Sequence, residues 1–227
     1  MTSLVSWIGV DTHGHSSIYI VSDSRITWGS AVDKVQWDYG RKVFASAKYA
    51  EIFGYYGDVL FPSQVLSQII DLIDMDLLIK NEDTSQDKLT KIEKTIKASF
   101  QVYPGQKGEP FTIIYCTREN SGNNSKFHIA SIAWNKKIDW KIEWLQPPTK
   151  SGIIGGKAFG HGGQTVDKWY QRWANIKTET GTSRIVYSAF CDALFSGEDQ
   201  YTGGAPQLVG IYRIGPGRAF GTIYRNN

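Results

Sequence analysis

The hydrophobic pattern of this 227-residue chain alternates between two periods, and their order restricts the fold more than any other feature. Alternating runs rich in β-branched and aromatic residues predict strands, whereas apolar residues at every third or fourth position predict helices. The predicted order is strands, two helices, strands, two helices and strands. The helices are expected over residues 62–80, 88–102, 165–176 and 183–194, and the later strands over 111–116, 126–134, 139–145, 151–158, 208–214 and 218–224.

The fold class follows from this order. Long antiparallel hairpins interrupted by paired helices favour an α+β protein in which two antiparallel sheets stack and a helix pair covers each outer face, a four-layer αββα sandwich. The chain is expected to begin with a hairpin of residues 4–10 and 18–21, and residues 29–39 are expected to be irregular. No repeat or linker divides the sequence, so residues 1–227 are expected to form a single domain.

Composition excludes several classes of function. Hydrophobic residues make up 41% and charged residues 21% of the chain, as in ordinary globular proteins. The net charge of +3 is spread along the sequence without a dense basic run, so we expect no nucleic-acid partner. The histidines His13 and His15 are expected to be solvated in a turn, and we expect no metal and no cofactor. There is no signal peptide and no apolar run of about 20 residues, so we expect no membrane association and a cytoplasmic location.

Thr2 is the first candidate for chemistry. If Met1 is removed, Thr2 carries a hydroxyl nucleophile and a free amine base on one residue. Such an amine titrates near ~7.7–8.0, and a nearby ammonium lowers its pKa while a carboxylate holds its charged form in place. Asp23 and Lys42 are the candidates for these two groups, since each lies at or beside the end of a predicted strand. An ordinary second residue is the alternative interpretation of Thr2.

Several further motifs follow in a fixed order. They are Asp23-Ser24-Arg25 with Gly29 after it, Lys42-Val43, Gly54-Tyr-Tyr-Gly57-Asp58 before a predicted helix, Gly160-His161-Gly162 before another, and Asp199-Gln-Tyr-Thr202-Gly203-Gly204 before a strand. Together with Thr2 this ordered set resembles the proteasome β-subunit family of N-terminal nucleophile hydrolases, including bacterial homologues that form rings without a propeptide. The resemblance covers most of the chain.

The resemblance implies a role for each central residue. Thr2 is the nucleophile, Lys42 lies against it and lowers proton affinities, and Asp23 pairs with Lys42. The amide of Gly54 donates to the oxyanion. Lys34 is the alternative lysine, although it stands in a stretch expected to be irregular and solvated.

It also implies supporting residues. Arg25 helps to hold the loop around the site, and Asp199 and Thr202 orient the Thr2 amine. His161 stands where the family usually has a serine, and it could hydrogen-bond near the amine or titrate there. The expected substrate-binding residues are Thr27, Trp28, Ala47 and Tyr49.

These features predict a threonine peptidase that cleaves a polypeptide substrate through an acyl-enzyme ester on Thr2. The resemblance further implies a homo-oligomer, either a ring or a helical stack, and a separate ATPase as the partner for any unfolding. Two alternatives remain open, namely an inactive structural or assembly subunit of the same fold and an amidohydrolase of small molecules. The hairpin between Thr2 and Asp23 is longer than usual in the family, and its extra residues are expected to be shared equally, so that the strands keep their register at the base.

Overall fold

A computed structural model describes residues 2–29, 33–105, 109–175 and 181–221. In chain order its strands are β1 (Ser3–Asp11), β2 (Gly14–Ser22), β3 (Ile26–Trp28), β4 (Val35–Trp37), β5 (Val43–Ala45), β6 (Glu51–Gly57), β7 (Phe111–Glu119), β8 (Lys126–Asn135), β9 (Asp139–Leu145), β10 (Gly152–Ile153), β11 (Phe159–Gly160), β12 (Gln207–Tyr212) and β13 (Arg218–Phe220). The helices are α1 (Leu60–Asp74), α2 (Ser85–Gln101), α3 (Gly163–Ala174) and α4 (Ser183–Ser196). None of these described helices has both the length and the apolarity needed to cross a bilayer.

The strands form two large antiparallel sheets and one small ribbon. The first sheet has the order β10-β1-β2-β12-β13, with β11 also paired to β1. The second is the meander β5-β6-β7-β8-β9, and β3 pairs with β4 alone. With the four helices, this arrangement confirms the predicted α+β class.

Three clusters of buried side chains hold these elements together. One joins α1 and α2 to the second sheet. The next contains residues of both sheets, such as Ile20 from β2 and Ile114 from β7. The third joins the first sheet to α3 and α4, as Val21 and Phe190 illustrate. Because adjacent residues of a strand point to opposite faces, Ile20 and Val21 serve two different cores.

The first hairpin keeps its register at the base. Leu4 lies opposite Ser22, and the pairing shifts only between Gly9 and Val10, near the turn. The irregularity is a one-residue bulge in β2, and the equal sharing of the extra residues stays a prediction. Because the bulge lies at the far end of the hairpin, it does not change which faces meet beside Thr2.

Several predicted boundaries were wrong for local reasons. Within the strand expected over 151–158 only Gly152–Ile153 is extended, since a single turn follows, where Gly155 and Gly156 have φ of 76° and 72°, and β11 begins beyond it at Phe159. The first helix ends at Asp74 instead of residue 80, and Asp76 has a left-handed φ of 62°. Residues 29–39 contain β4 of the ribbon instead of irregular chain. Residue 176 of the third helix and residues 222–224 of the last strand lie outside the described ranges.

Candidate active site

Thr2 directly precedes β1 and is buried, with 1% of its surface exposed. Its carbonyl faces Gly160 of β11, and a Cβ on Gly160 would overlap the Thr2 carbonyl oxygen. Gly160 also has a φ of 82°, so two independent constraints favour glycine at this position. Among the described residues, the buried hydroxyl Oγ1 of Thr2 has no hydrogen-bond partner. This hydroxyl is therefore not committed to holding the fold together.

Asp23, just after β2, is a fully buried carboxylate with four donors. Its Oδ1 accepts from the Ser3 amide at 3.0 Å and from Lys42 Nζ at 2.9 Å. Its Oδ2 accepts from the amides of Arg25 at 3.2 Å and Gly203 at 3.3 Å. Both oxygens are thus occupied, as a buried carboxylate requires.

Lys42 is also fully buried, and it lies one residue before β5. Its ammonium donates to Asp23 Oδ1 at 2.9 Å and to the Arg25 carbonyl at 2.5 Å. The Ser3 amide that shares Asp23 Oδ1 belongs to the peptide bond between Thr2 and Ser3. One carboxylate oxygen therefore connects Lys42 to the peptide unit that carries Thr2.

Burial changes the protonation of this ion pair. Loss of hydration raises the pKa of Asp23, while the charge and hydrogen bond of Lys42 oppose the rise. Loss of hydration also lowers the pKa of Lys42, against the attraction of Asp23. Each effect favours the neutral form of its group. A lysine in this environment gives up a proton more readily than one in water.

The alternative lysine, Lys34, lies elsewhere. Its Nζ is 3.4 Å from the Gln200 carbonyl and 5.0 Å from the centre of the Tyr201 ring. Of the two candidate lysines, Lys42 is the one that pairs with Asp23.

A second polar cluster lies beside the start of β1. Thr202 Oγ1 donates to Asp199 Oδ2 at 3.2 Å, and His161 Nδ1 is 3.4 Å from the Asp199 carboxylate. Gly162 lies between this cluster and Ser3. A Cβ on Gly162 would overlap Ser3 Oγ and would lie 2.7 Å from Asp199 Oδ2. Asp199, Thr202 and His161 are therefore brought together next to the residue that follows Thr2.

Arg25 binds a residue that sequence reasoning did not identify. Its Nε and Nη2 donate to the two carboxylate oxygens of Asp38 at 2.6 and 2.9 Å, and its Nη1 donates to the Thr202 carbonyl at 3.3 Å. Gln207 was missed as well, although its Oε1 accepts from the Lys42 amide at 2.9 Å. Neither residue belongs to a motif. The only signal for Asp38 was the preference of an arginine for a bidentate carboxylate.

The structure corrects the prediction for Gly54. Gly54 lies in the middle of β6, and a Cβ on it would be 2.7 Å from Ile20 Cγ2 and 2.9 Å from Leu4 Cδ1, in the core between the sheets. The next amide, that of Tyr55, donates to the Lys42 carbonyl. Successive amides of a strand point to opposite sides, so the Gly54 amide points to Ile114 of β7, its register partner. It belongs to the sheet ladder and is not directed at Thr2.

The amide of Gly57 points away from β7, unlike that of Gly54. Gly57 lies two residues beyond Tyr55, so its amide points to the same side, past the end of β5. The preceding residue, Tyr56, stacks on Phe159 of β11 with ring centres 5.6 Å apart. This contact brings the end of β6 to the strand that lies against Thr2.

A cleft of about 710 Å³ opens at the same end of β6. Thr27 and Trp28, two of the expected substrate-binding residues, line it together with Gly57, whereas Thr2 is not among the lining residues. The full lining is Ile26, Thr27, Trp28, Gly29, Gly57, Asp58, Val59, Leu60, Ser63, Glu109 and Pro110.

Ala47 and Tyr49, the other two expected substrate-binding residues, do not line this cleft. Both belong to the turn between β5 and β6, at the opposite end of the seven-residue strand β6. The Ala47 amide donates to Asp74 at 3.2 Å and the Tyr49 hydroxyl to Asp76 at 2.5 Å, both at the end of α1. These two residues therefore anchor the turn to the helix.

Comparison with known proteins adds a likeness of fold. No family model matches the chain, and no curated protein matches its sequence. Among the solved structures with a similar fold is Thiobacillus denitrificans BPH in complex with epoxomicin. The match has a TM-score of 0.57 and 12% sequence identity, and it covers 93% of this chain and 99% of that one. At this identity the likeness shows that the two chains share a fold.

Proposed function

We propose that this protein is a threonine-type N-terminal nucleophile hydrolase that cleaves peptide bonds, with Thr2 as its nucleophile once Met1 has been removed. The observation that carries the proposal is the shared oxygen of Asp23. It accepts from Lys42 Nζ at 2.9 Å and from the Thr2–Ser3 amide at 3.0 Å. Through this oxygen, a buried lysine of lowered pKa is linked to the peptide unit of Thr2, whose hydroxyl has no hydrogen-bond partner among the described residues.

In the proposed reaction, Thr2 Oγ attacks the carbonyl carbon of the substrate and its proton passes to the Thr2 amine. The carbonyl electron pair moves to oxygen, where the Gly57 amide donates a hydrogen bond in place of Gly54. The amine then protonates the leaving nitrogen, the C–N bond breaks, and an ester on Thr2 remains. Water attacks this ester, returns a proton to Thr2 Oγ and releases the carboxylate product.

The charges around Thr2 support these proton transfers. The ammonium of Lys42 lowers the proton affinity of a nearby amine and hydroxyl, and the Asp23 carboxylate fixes that ammonium. Asp199 and Thr202 would orient the Thr2 amine from the other side, since their cluster lies against Ser3. His161 would contact the same carboxylate from the surface. Thr27 and Trp28 would bind the substrate along the cleft.

The comparison with BPH supports the same chemistry, because epoxomicin is an inhibitor of threonine proteases. We extend the proposal to the architecture: the three cores correspond to four layers in the order αββα, within one domain spanning residues 1–227. We also propose a homo-oligomer, either a ring or a helical stack, that confines the site. A separate ATPase would be needed to unfold folded substrates.

Mass spectrometry of the purified protein tests the proposal. We expect a mature protein that begins at Thr2 and gains the mass of one epoxomicin molecule. The Thr2→Ala variant should keep its fold and gain no mass. An intact Met1 with no adduct on the wild-type protein would contradict the proposed function.

An inactive assembly subunit of the same fold is the second candidate. The burial of Thr2, with 1% exposed, and its absence from the lining of the cleft favour this candidate. Ring formation without an epoxomicin adduct would support it. A small-molecule amidohydrolase is the third, and an adduct on a protein that elutes as a monomer or dimer in size-exclusion chromatography would favour it over a chambered peptidase.

A further inference from the structure

The main chain of Arg25 contacts both members of the buried ion pair. Its amide donates to Asp23 Oδ2 at 3.2 Å, and its carbonyl accepts from Lys42 Nζ at 2.5 Å. Arg25 therefore supplies one acceptor to Lys42 and one donor to Asp23, and its position fixes both contacts.

The side chain of Arg25 is fixed by Asp38. The guanidinium and the carboxylate form two parallel hydrogen bonds of 2.6 and 2.9 Å, a geometry that restricts orientation as well as distance. The main chain of Asp38 is held in turn, because Ser24 Oγ donates to its carbonyl at 2.6 Å. Asp38 also lies against Gly204, where a Cβ would be 3.0 Å from the Cβ of Asp38. Asp38 thus joins the segment after β2 to the loop before β12.

We propose that Asp38 is a positioning residue for the proposed hydrolysis: through its bidentate bond it holds Arg25 where the Arg25 carbonyl keeps Lys42 Nζ on Asp23, the carboxylate that also binds the Thr2–Ser3 amide. The inference rests on the proposed function, and it assigns a role to a residue that touches neither the substrate nor Thr2. Ion pairs near the surface contribute little to stability, and 39% of the Asp38 side chain is exposed. We therefore expect the loss of Asp38 to change stability little. We expect it to slow the reaction strongly, because small displacements of catalytic groups have large effects on rate.

The test measures the reaction with epoxomicin in Asp38→Asn, which keeps the shape of the side chain and removes its charge. Two quantities are separated: the maximal rate of adduct formation and the concentration that gives half of it. We expect the maximal rate to fall about 10- to 100-fold, with the half-saturating concentration little changed. A variant that merely unfolds in part would show a smaller reacting fraction with an unchanged rate.

Asp11→Asn is the matched control. Asp11 forms a bidentate pair with Arg213, with bonds of 2.6 and 2.7 Å, at the far end of the first hairpin. The exposed fractions of the two aspartates are also similar, 39% and 44%. We expect Asp11→Asn to react at the wild-type rate. Asp38→Glu, which keeps the charge on a longer side chain, should recover part of the rate lost in Asp38→Asn.

Each outcome has one meaning. If the wild-type protein forms no adduct, the proposed function fails and the role of Asp38 fails with it. If the wild-type protein reacts and Asp38→Asn reacts equally fast, the proposed function stands and the positioning role is overturned. Should Asp38→Asn not fold, Asp38→Ser decides, because it also removes the carboxylate that binds Arg25: a wild-type rate overturns the positioning role, and a reduced rate with an undiminished reacting fraction supports it.

Discussion

Lys42 and Asp23 form an ion pair with a 2.9 Å hydrogen bond, and both side chains are completely buried. Burying two charges carries a large desolvation penalty, which their mutual attraction offsets only while both are present. Three backbone amides, those of Ser3, Arg25 and Gly203, complete the coordination of the Asp23 carboxylate. The pair is therefore both a structural element and the electrostatic centre of the candidate site.

Removing one member of this pair should destabilise the protein strongly. We expect Lys42→Met to lower the free energy of unfolding by about 3–5 kcal/mol, because Asp23 is left as an uncompensated buried charge. Urea unfolding measures this loss. Adding Asp23→Asn to Lys42→Met should restore part of it, since the amide keeps an acceptor oxygen without a charge.

Lys48→Met is the control for that measurement. Lys48 pairs with Asp76, and 49% and 40% of their side chains are exposed. An exposed pair contributes about 0–1 kcal/mol, so this variant should lose little stability. Equal losses in Lys42→Met and Lys48→Met would contradict the account of the buried pair.

Asp11 should show the pH dependence expected of a paired carboxylate. Its hydrogen bond to Arg213, with the His13 amide as a second donor, lowers its pKa from 3.8 to about 2. The unfolded chain therefore binds the proton at a higher pH than the folded one, and the stability from this pair is lost as the pH falls through that interval. Carboxyl-carbon NMR of the folded protein should give a titration midpoint near the lower value. A midpoint near the ordinary aspartate value would rule out the pairing in solution.

Gly160 should tolerate no side chain, because its missing Cβ makes room for the Thr2 carbonyl. We expect Gly160→Ala to displace Thr2, to abolish the epoxomicin adduct and to destabilise the fold. Gly122 is a control that isolates backbone strain: it has a φ of 65°, and nothing lies within 4 Å of the position of its Cβ. Gly122→Ala should lose about 1–2 kcal/mol for the left-handed conformation alone and keep its reactivity. Thermal unfolding and adduct mass together distinguish steric overlap from strain.

The order of elements was readable because the helices and long strands show their period over many residues, as the run from Val65 to Ile73 does in α1. The ribbon of β3 and β4 could not be predicted from the sequence, because three-residue strands are too short to show a period. The ribbon is also held by residues that are distant in the sequence. Thr27 Oγ1, for example, donates to the Tyr201 carbonyl at 3.2 Å. The residues next to Thr27 in the sequence do not indicate such a distant partner.

Motifs in the sequence identified several site residues that the fold brings together. The directions of the backbone amides, in contrast, depended on strand register. Gly54 and Gly57 look alike in sequence, and only strand pairing shows that the Gly54 amide points to β7 and the Gly57 amide points away from it. The buried pair of Glu51 and Lys88, with a 2.8 Å bond, was also not predicted. Its members come from β6 and α2, and their contact depends on how the helix lies on the sheet.

The cleft provides the last test, because Trp28 and Tyr49 were both expected to bind substrate and only Trp28 lines it. Trp28 is 52% exposed, so it can lose its ring without leaving a cavity in the core. We expect Trp28→Ala to raise the half-saturating concentration of epoxomicin about tenfold, the loss of one good aromatic contact, and to leave the maximal rate nearly unchanged. Tyr49→Phe removes only the hydroxyl that binds Asp76, and it should leave both kinetic quantities as they are. If Tyr49→Phe weakened binding and Trp28→Ala did not, the substrate would have to lie at the other end of β6.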